Sequence, residues 1–392
     1  MPPDSKKRLS RNVVALGLVS LLNDASSEII YPFLPLFLTG VLGAGPAFLG
    51  VVEGIAESTA SILKLLSGWW SDRVRKRKRL AFWGYLLAGG TRPFIGLAAA
   101  PWQVLAIRFA DRVGKGVRSA PRDALIADST PPEARGYAFG FHRAMDHGGA
   151  VIGSLAGFAL ATVLAEDLRD VFLWASVPAV VAVFVLAFGA KEVPPRIAEG
   201  AGAPPLRLSA LPADLRRYLG VLLVFTLGNS SDAFLLLRAK EAGVETAHLP
   251  LLWGAHHVAK MLASVPGGRL SDRVDRRAVI AAGWGVYAAV YVGFSLVGSA
   301  WGVWALFLAY GLYFGLTEGV EKALVVDLAP PERRATALGF YHLVVSVGAL
   351  PASLLTGFLW EALGPAVALG TGAGFASIST ALLWAAVPRA AR

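Results

Sequence analysis

Apolar runs of about 20 residues, the length an α-helix needs to cross a bilayer, recur from one end of this 392-residue chain to the other. Backbone polar groups inside lipid must be satisfied within their own segment, so such runs are committed to helix. Composition agrees with a membrane setting. Hydrophobic residues make up 55% of the chain and charged residues 16%, where a soluble protein carries roughly a quarter charged. The expected fold is an all-α integral membrane protein with spans at 12–40, 47–70, 80–99, 102–126, 136–164, 168–189, 217–237, 249–270, 278–298, 302–328, 335–360 and 365–388. Twelve spans put both termini on one side.

The net charge of +10 follows topology. Most Lys and Arg fall in loops on one side, as the positive-inside rule requires, and form no nucleic-acid footprint. Lys6, Lys7, Arg8 and Arg11 at one end and Arg389 and Arg392 at the other place both termini in the cytoplasm of a cell (inner) membrane protein. A cleaved signal peptide is disfavoured: the first apolar run continues past Asp24 and Glu28 to about Leu38 without a small-residue cleavage site. Absence of cysteine removes disulfides, thiolate metal sites and cysteine nucleophiles. There is no G-x-S-x-G elbow, H-E-x-x-H or P-loop, so no enzyme chemistry, ATP coupling or cofactor is expected. An ion gradient is left as the driving force.

The chain is duplicated. GWWSDRVRKRKR at 68–79 returns as GRLSDRVDRR at 268–277, offset by 200, and ADSTPPEARGYAFGF at 127–141 returns as VDLAPPERRATALGF at 326–340, offset by 199. Asn23-Asp24-Ala25-Ser26-Ser27 in the first span resembles Asn229-Ser230-Ser231-Asp232 in the seventh. The domains expected are therefore a six-helix bundle at 1–189, a Pro-, Ala- and Gly-rich cytoplasmic linker at 190–216, and a second bundle at 217–392. Two homologous six-helix halves are a transporter plan with the substrate site between them near mid-membrane.

Charge inside the spans marks the candidate site. In 101–128, Arg108, Arg112, Lys115, Arg118 and Arg122 fall within about a third of the helix circumference. Asp111 lies inside that arc and Asp123 beside it. Intramembrane charges are costly and must face partners, water or a ligand. Arg108 and Arg112, one turn apart, offer planar forks for a carboxylate or phosphate. Asp24 and Glu28, at i and i+4, are candidates to carry a coupled proton, as is Asp232. Asn23, Asn229, Glu53, Lys115, His142 and Asp146 complete the candidate substrate-binding set. The competing reading makes most of these charges a static counter-ion network.

These residues carry a resemblance. The chain resembles the major facilitator superfamily, whose loop signature G-x-x-x-D-R-x-G-R-[KR] is matched by Gly68, Asp72, Arg73, Lys76 and Arg77 and again by Gly268, Asp272, Arg273, Arg276 and Arg277. Arg75 and Asp275 replace the inner glycine. The fourth-helix signature is matched by Arg112, Lys115 and Gly116, and the fifth-helix antiporter signature survives as Gly149, Gly153 and Gly157 with Ser154 in place of proline. The resemblance implies a rocker-switch transporter in which Asp72 meets the cytoplasmic start of the eleventh helix and Arg73 pairs with Asp123 or Asp128. Asp272 and Arg273 repeat that pair, while Arg118 and Arg122, nearer the inner rim, Asp123, and Glu321 and Lys322, in the place of Arg122 and Asp123 with the charges exchanged, are the other candidate gate residues.

The expected function is secondary active transport of a small organic solute, an anion or zwitterion, coupled to protons, with export favoured. The expected partners are that solute, protons and the lipid bilayer, the chain acting as a monomer. His142 with Met145 and His257 with Met261 keep open a copper or other metal-ion transporter, since imidazole and thioether suit copper. A lipid flippase and a non-transporting membrane receptor are also compatible with such a chain.

Overall fold

The computed structural model describes residues 9–31, 33–34, 37–44, 46–160, 168–194, 206–245 and 248–389, without the side chains of 39, 46–58, 233 and 250. Described residues form helices and connecting turns, with no strand among them. The helices are α1 (Arg11–Ile30), α2 (Pro46–Val74), α3 (Arg77–Thr91), α4 (Pro93–Gly96), α5 (Pro101–Asp128), α6 (Arg135–Ala159), α7 (Leu168–Trp174), α8 (Ser176–Gly189), α9 (Ala213–Gly228), α10 (Ala233–Glu241), α11 (Leu249–Arg273), α12 (Arg276–Leu296), α13 (Ala300–Leu328), α14 (Arg334–Leu363) and α15 (Pro365–Ala386). They account for twelve membrane spans, because the third, sixth and seventh are each broken in two. Pro93 breaks the third, lacking the N–H that would continue the ladder. The seventh opens at Asn229–Asp232.

Six helical stretches are apolar enough to span by composition alone: α1, α7 with α8, α12, α13, α14 and α15. α5 is not among them, and its charges explain why. Fifteen of its residues are nevertheless buried, including Arg108, Asp111, Arg118, Arg122 and Asp123, so its polar face is turned into protein.

Two compact units emerge. The first holds Met1–Pro131, Met145–Leu206 and Pro331–Gly339, and the second holds Pro132–Ala144, Arg207–Pro330 and Phe340–Arg392. The start of α6 is thus counted with the second unit and the start of α14 with the first. In the first unit, α3 and α5 approach closely where glycine faces glycine. A Cβ on Gly114 would lie 2.5 Å from the Gly84 carbonyl oxygen. One end of this unit is closed by an apolar cluster including Ile30, Leu34, Phe37, Leu38, Val171 and Phe172, with Phe37 and Phe172 edge to face at 5.1 Å. Gly153 lets α6 press on α1, since a Cβ there would meet the Ala25 carbonyl oxygen at 2.4 Å. The antiporter-like glycines therefore serve close packing here.

Candidate functional site

In the first unit the intramembrane charges converge. Arg92, at the break between α3 and α4, is buried and donates to Asp111 at 3.2 Å, to the Asn23 carbonyl at 2.9 Å and to Asn23 Oδ1 at 3.1 Å. Asn23 Oδ1 also accepts from Arg118 at 2.9 Å, and its amide donates to Asp24 at 2.9 Å. Arg118 lies over the Tyr85 ring at 4.2 Å. Arg122 pairs with Asp123 at 2.9 Å and reaches Tyr85 Oη at 3.3 Å and Ser20 Oγ at 3.4 Å. Ser20 donates to Asp146. Asn23 is thus a clip that holds two guanidiniums.

Arg112 differs from its neighbours. Asp111 is committed to Arg92, and Arg112 meets the same carboxylate only at 3.9 Å, as does Arg108. Arg112 keeps 14% of its side chain exposed against 7% for Arg108, and its Nε, like those of Arg108 and Arg118, has no hydrogen-bond acceptor among the described residues. The ion pair of Arg112 is with Asp111 and not with Asp24. Lys115 and Glu28 are half-buried nearby, and the charges of Lys115, Arg112 and Arg92 act on Glu28. The side chain of Glu53 lies outside the described residues.

Aromatic rings fill the second unit. Phe225 stacks on Trp284 at 4.6 Å, Tyr287 on Tyr291 at 4.1 Å and Tyr310 on Tyr313 at 5.6 Å. Tyr310 donates to Asp232 at 2.8 Å and Tyr287 to the Gly228 carbonyl at 2.8 Å, so the broken seventh span is tied to this cluster at both lips. Asn229 lies in that break as the C-cap of α9. Glu321 accepts from Trp284 at 3.2 Å and Tyr341 at 3.0 Å, while Lys322 is buried beside it. Lys260, which no sequence motif singles out, is buried with its ammonium 3.5 Å from the centroid of the Phe314 ring.

Two further clusters sit where the loop signatures fold. Within the first unit, Asp72 accepts from the backbone N–H groups of Ala335 and Thr336 at 3.2 and 2.6 Å and from the Thr336 hydroxyl at 2.7 Å, at the start of α14. Arg77 bridges Asp72 at 3.3 Å and Asp128 at 2.7 Å, and Arg334 reaches Asp128 at 2.7 Å. The second unit repeats this residue by residue. Asp272 accepts from Gly136 and Tyr137 N–H at 2.9 and 2.8 Å at the start of α6. Arg276 bridges Asp272 at 3.2 Å and Asp327 at 2.7 Å, and Arg135 pairs with Asp327 at 2.5 Å. Helix N-termini suit carboxylates, because the unsatisfied N–H groups and the dipole both favour an anion.

The expected place of Asp72 matches this geometry; the expected cation does not. Arg73 and Arg273 are exposed, Arg73 lying 5.5 Å from the centroid of the Trp69 ring, and Arg77 and Arg276 hold the bridging positions. The reason is directional. Arg73 follows Asp72 on the same helix and points about 100° away from it, whereas Arg77 starts the next helix and turns back. Arg118, Arg122 and Asp123, expected at the gate, join the charge network around Asn23 and Tyr85. The offset of 199 does carry the missing signal, pairing Arg77 with Arg276, Asp128 with Asp327 and Arg135 with Arg334.

The loops between these clusters solve one turn in two ways. Arg75 occupies the left-handed region at φ 59°, the conformation glycine tolerates best. Asp275 instead caps α12, accepting from Arg277 N–H at 3.0 Å and from its guanidinium at 2.6 Å. Partial burial pushes the Asp275 carboxyl up, but the Arg277 contacts outweigh it and hold it below the usual carboxylate range.

His142 is buried three residues before Met145 on α6, and His257 lies edge-on to Trp253 at 5.2 Å, one turn before Met261 on α11. Among the described residues no group of three or more His, Asp or Glu is placed to hold a metal ion.

The profile of the Major Facilitator Superfamily matches residues 16–255 and 218–392. An uncharacterized MFS-type transporter of Methanocaldococcus jannaschii is 35% identical over 389 residues, covering 97% of this chain and 96% of that one. Multidrug resistance protein MdtG of Escherichia coli is 25% identical over 298 residues, 71% of this chain and 70% of that one. The crystal structure of the human organic anion transporter MFSD10 (TETRAN) matches with a TM-score of 0.79 at 16% identity, covering 98% of this chain and all of that one.

Proposed function

The chain belongs to the major facilitator superfamily, a family of membrane transporters, and from that premise we propose that it carries a small organic anion or zwitterion across the cell membrane by proton-coupled alternating access. The observation that carries this reading is Arg112. A guanidinium only 14% exposed on a spanning helix, with the nearest carboxylate among the described residues at 3.9 Å and already committed to Arg92, is under-compensated there in a setting where charge is expensive. A substrate carboxylate or phosphate accepted in bidentate geometry completes it, and Arg108 on the preceding turn assists.

Asp24 and Glu28 are the proposed proton carriers, with Asp232 the counterpart in the second half. Binding of the anion at Arg112 and protonation on α1 are then linked through one charge network. The Asp72 and Asp272 clasps act at the cytoplasmic ends, each releasing a helix start as that side opens. Likeness to a multidrug resistance protein favours export, and the basic end segments favour cytoplasmic termini. The chain works as a monomer.

The test is substrate-dependent proton movement in proteoliposomes. Organic anions should drive or be driven by a pH gradient, and Asp24→Asn or Glu28→Gln should abolish uphill accumulation while sparing downhill exchange. Unchanged accumulation in both variants removes α1 from coupling. Transport of plain cations only would overturn the anion reading.

A further inference from the structure

Lys260 sits halfway along α11 (Leu249–Arg273), in the second unit, and is 5% exposed. Its carbonyl accepts from Ser264 Oγ at 2.7 Å, while its ammonium lies 3.5 Å from the Phe314 ring centroid and 5.5 Å from that of Trp253 and makes no ion pair with a described carboxylate. Asp232 and Glu318 act on it only from farther off, and Asp232 already accepts from Tyr310. Ring faces attract a cation, but they do not replace the water or carboxylate that a buried ammonium has lost. The offset of 200 places Ala60 at the matching position of the first half, so the duplicated frame does not require a cation here.

Two helices bring aromatic rings to this point. Trp253 and His256 rise from α11 itself, and Phe314 and Tyr310 come from α13. His256 stacks on Tyr310 at 5.0 Å and is fixed by its Nδ1 contact with the Phe307 carbonyl at 2.8 Å. A ring entering such a wall gains offset or edge contacts that an aliphatic body of equal size does not. We infer that Lys260, with Trp253 and Phe314, is a second anion-recognition point that selects an aromatic acid, its ammonium meeting the acidic group and the rings meeting the body. This deepens the transport reading above and rests on it.

The test uses the purified full chain in nanodiscs, with binding followed by calorimetry and three probes of similar size: benzoate, cyclohexanecarboxylate and benzamide. Wild-type protein should bind benzoate about tenfold or more tightly than either of the others, a tenfold step being the smallest that one good contact is expected to give. Lys260→Gln should erase the preference for benzoate over benzamide, Lys260→Arg should keep most of it, and Phe314→Leu should erase the preference for benzoate over cyclohexanecarboxylate. Benzoate bound equally well by wild type and Lys260→Gln would overturn the inference while leaving Arg112 as the anion site. Equal wild-type affinity for the two acids would overturn the aromatic selection without recourse to any variant. Failure of wild type to bind either acid, while other organic anions are transported, would overturn this inference alone.

Discussion

The two halves of this chain share a backbone plan and fill it with opposite chemistry. Through the offset of 199, Arg92 corresponds to Tyr291, Arg108 to Phe307, Asp111 to Tyr310, Lys115 to Phe314 and Arg122 to Glu321. Where the first half buries the Arg92–Asp111 ion pair at 3.2 Å, the second brings the Tyr291 and Tyr310 rings to 6.2 Å. At the loop ends the halves agree residue by residue, down to the paired Asp–Arg–Asp bridges. A duplicated frame therefore tolerates divergence in its interior and keeps its clasps. The Asp–Arg–Asp bridge recurs with the same charges in both halves, whereas the interiors hold an ion-pair network in one and stacked rings in the other.

The largest expected effect breaks the charged side of this comparison. Asp111→Asn strands Arg92 among buried neighbours and should cost roughly 3–5 kcal/mol, the usual penalty for halving a buried pair. Pairing it with Arg92→Met should recover part of that loss, because two removed charges leave nothing uncompensated. Thermal melting of the purified variants measures both. In the second half Tyr310→Phe removes one hydrogen bond to Asp232 and should cost about 1–2 kcal/mol. Equal losses at Asp111 and Tyr310 would refute the claim that the halves use different chemistry.

The next effect sharpens the similar side. Asp72→Asn keeps the shape but weakens three hydrogen bonds at the start of α14, and transport should fall about tenfold or more with expression and substrate binding nearly intact, charged hydrogen bonds being worth roughly 1.5–3 kcal/mol. Asp272→Asn should act in the same direction and less strongly, since its carboxylate is less deeply buried. Uptake into proteoliposomes alongside a binding measurement separates the two outcomes. Normal turnover in both variants would reduce the loop signature to a topology signal.

Much of this was legible in the amino-acid sequence, and for definite reasons. Apolar runs, the duplication and the loop signature are periodic or repeated signals, so the helical fold and the place of Asp72 followed from them. Partner choice was not legible, because it depends on direction rather than spacing. Asp72 and Arg73 are adjacent in sequence, yet Arg77 makes the bridge because a turn reverses the chain between them. The break at Arg92 draws in a cation that no intrahelical pattern links to Asn23. Lys260 carries no signal of its own among the residues of α11, since only α13 reveals the ring over its ammonium.

The smallest expected effect lies in the loops that differ between halves. Arg75→Gly should stabilise the protein by about 1 kcal/mol or less, relieving a left-handed backbone at a non-glycine residue, with transport unchanged. Asp275→Gly should instead destabilise by about 1 kcal/mol, removing the α12 cap. Melting temperatures moving the same way in both would break this contrast.

The central claim is that the first half receives the acidic group of the substrate at Arg112. Its most direct test is the Kd of the Arg112→Lys variant for an organic anion that the wild type transports. Charge is retained and only the planar fork is lost, so the Kd should rise about tenfold while the melting temperature stays close to that of wild type. An unchanged Kd would contradict the claim and leave Arg112 as one more counter-ion of Asp111.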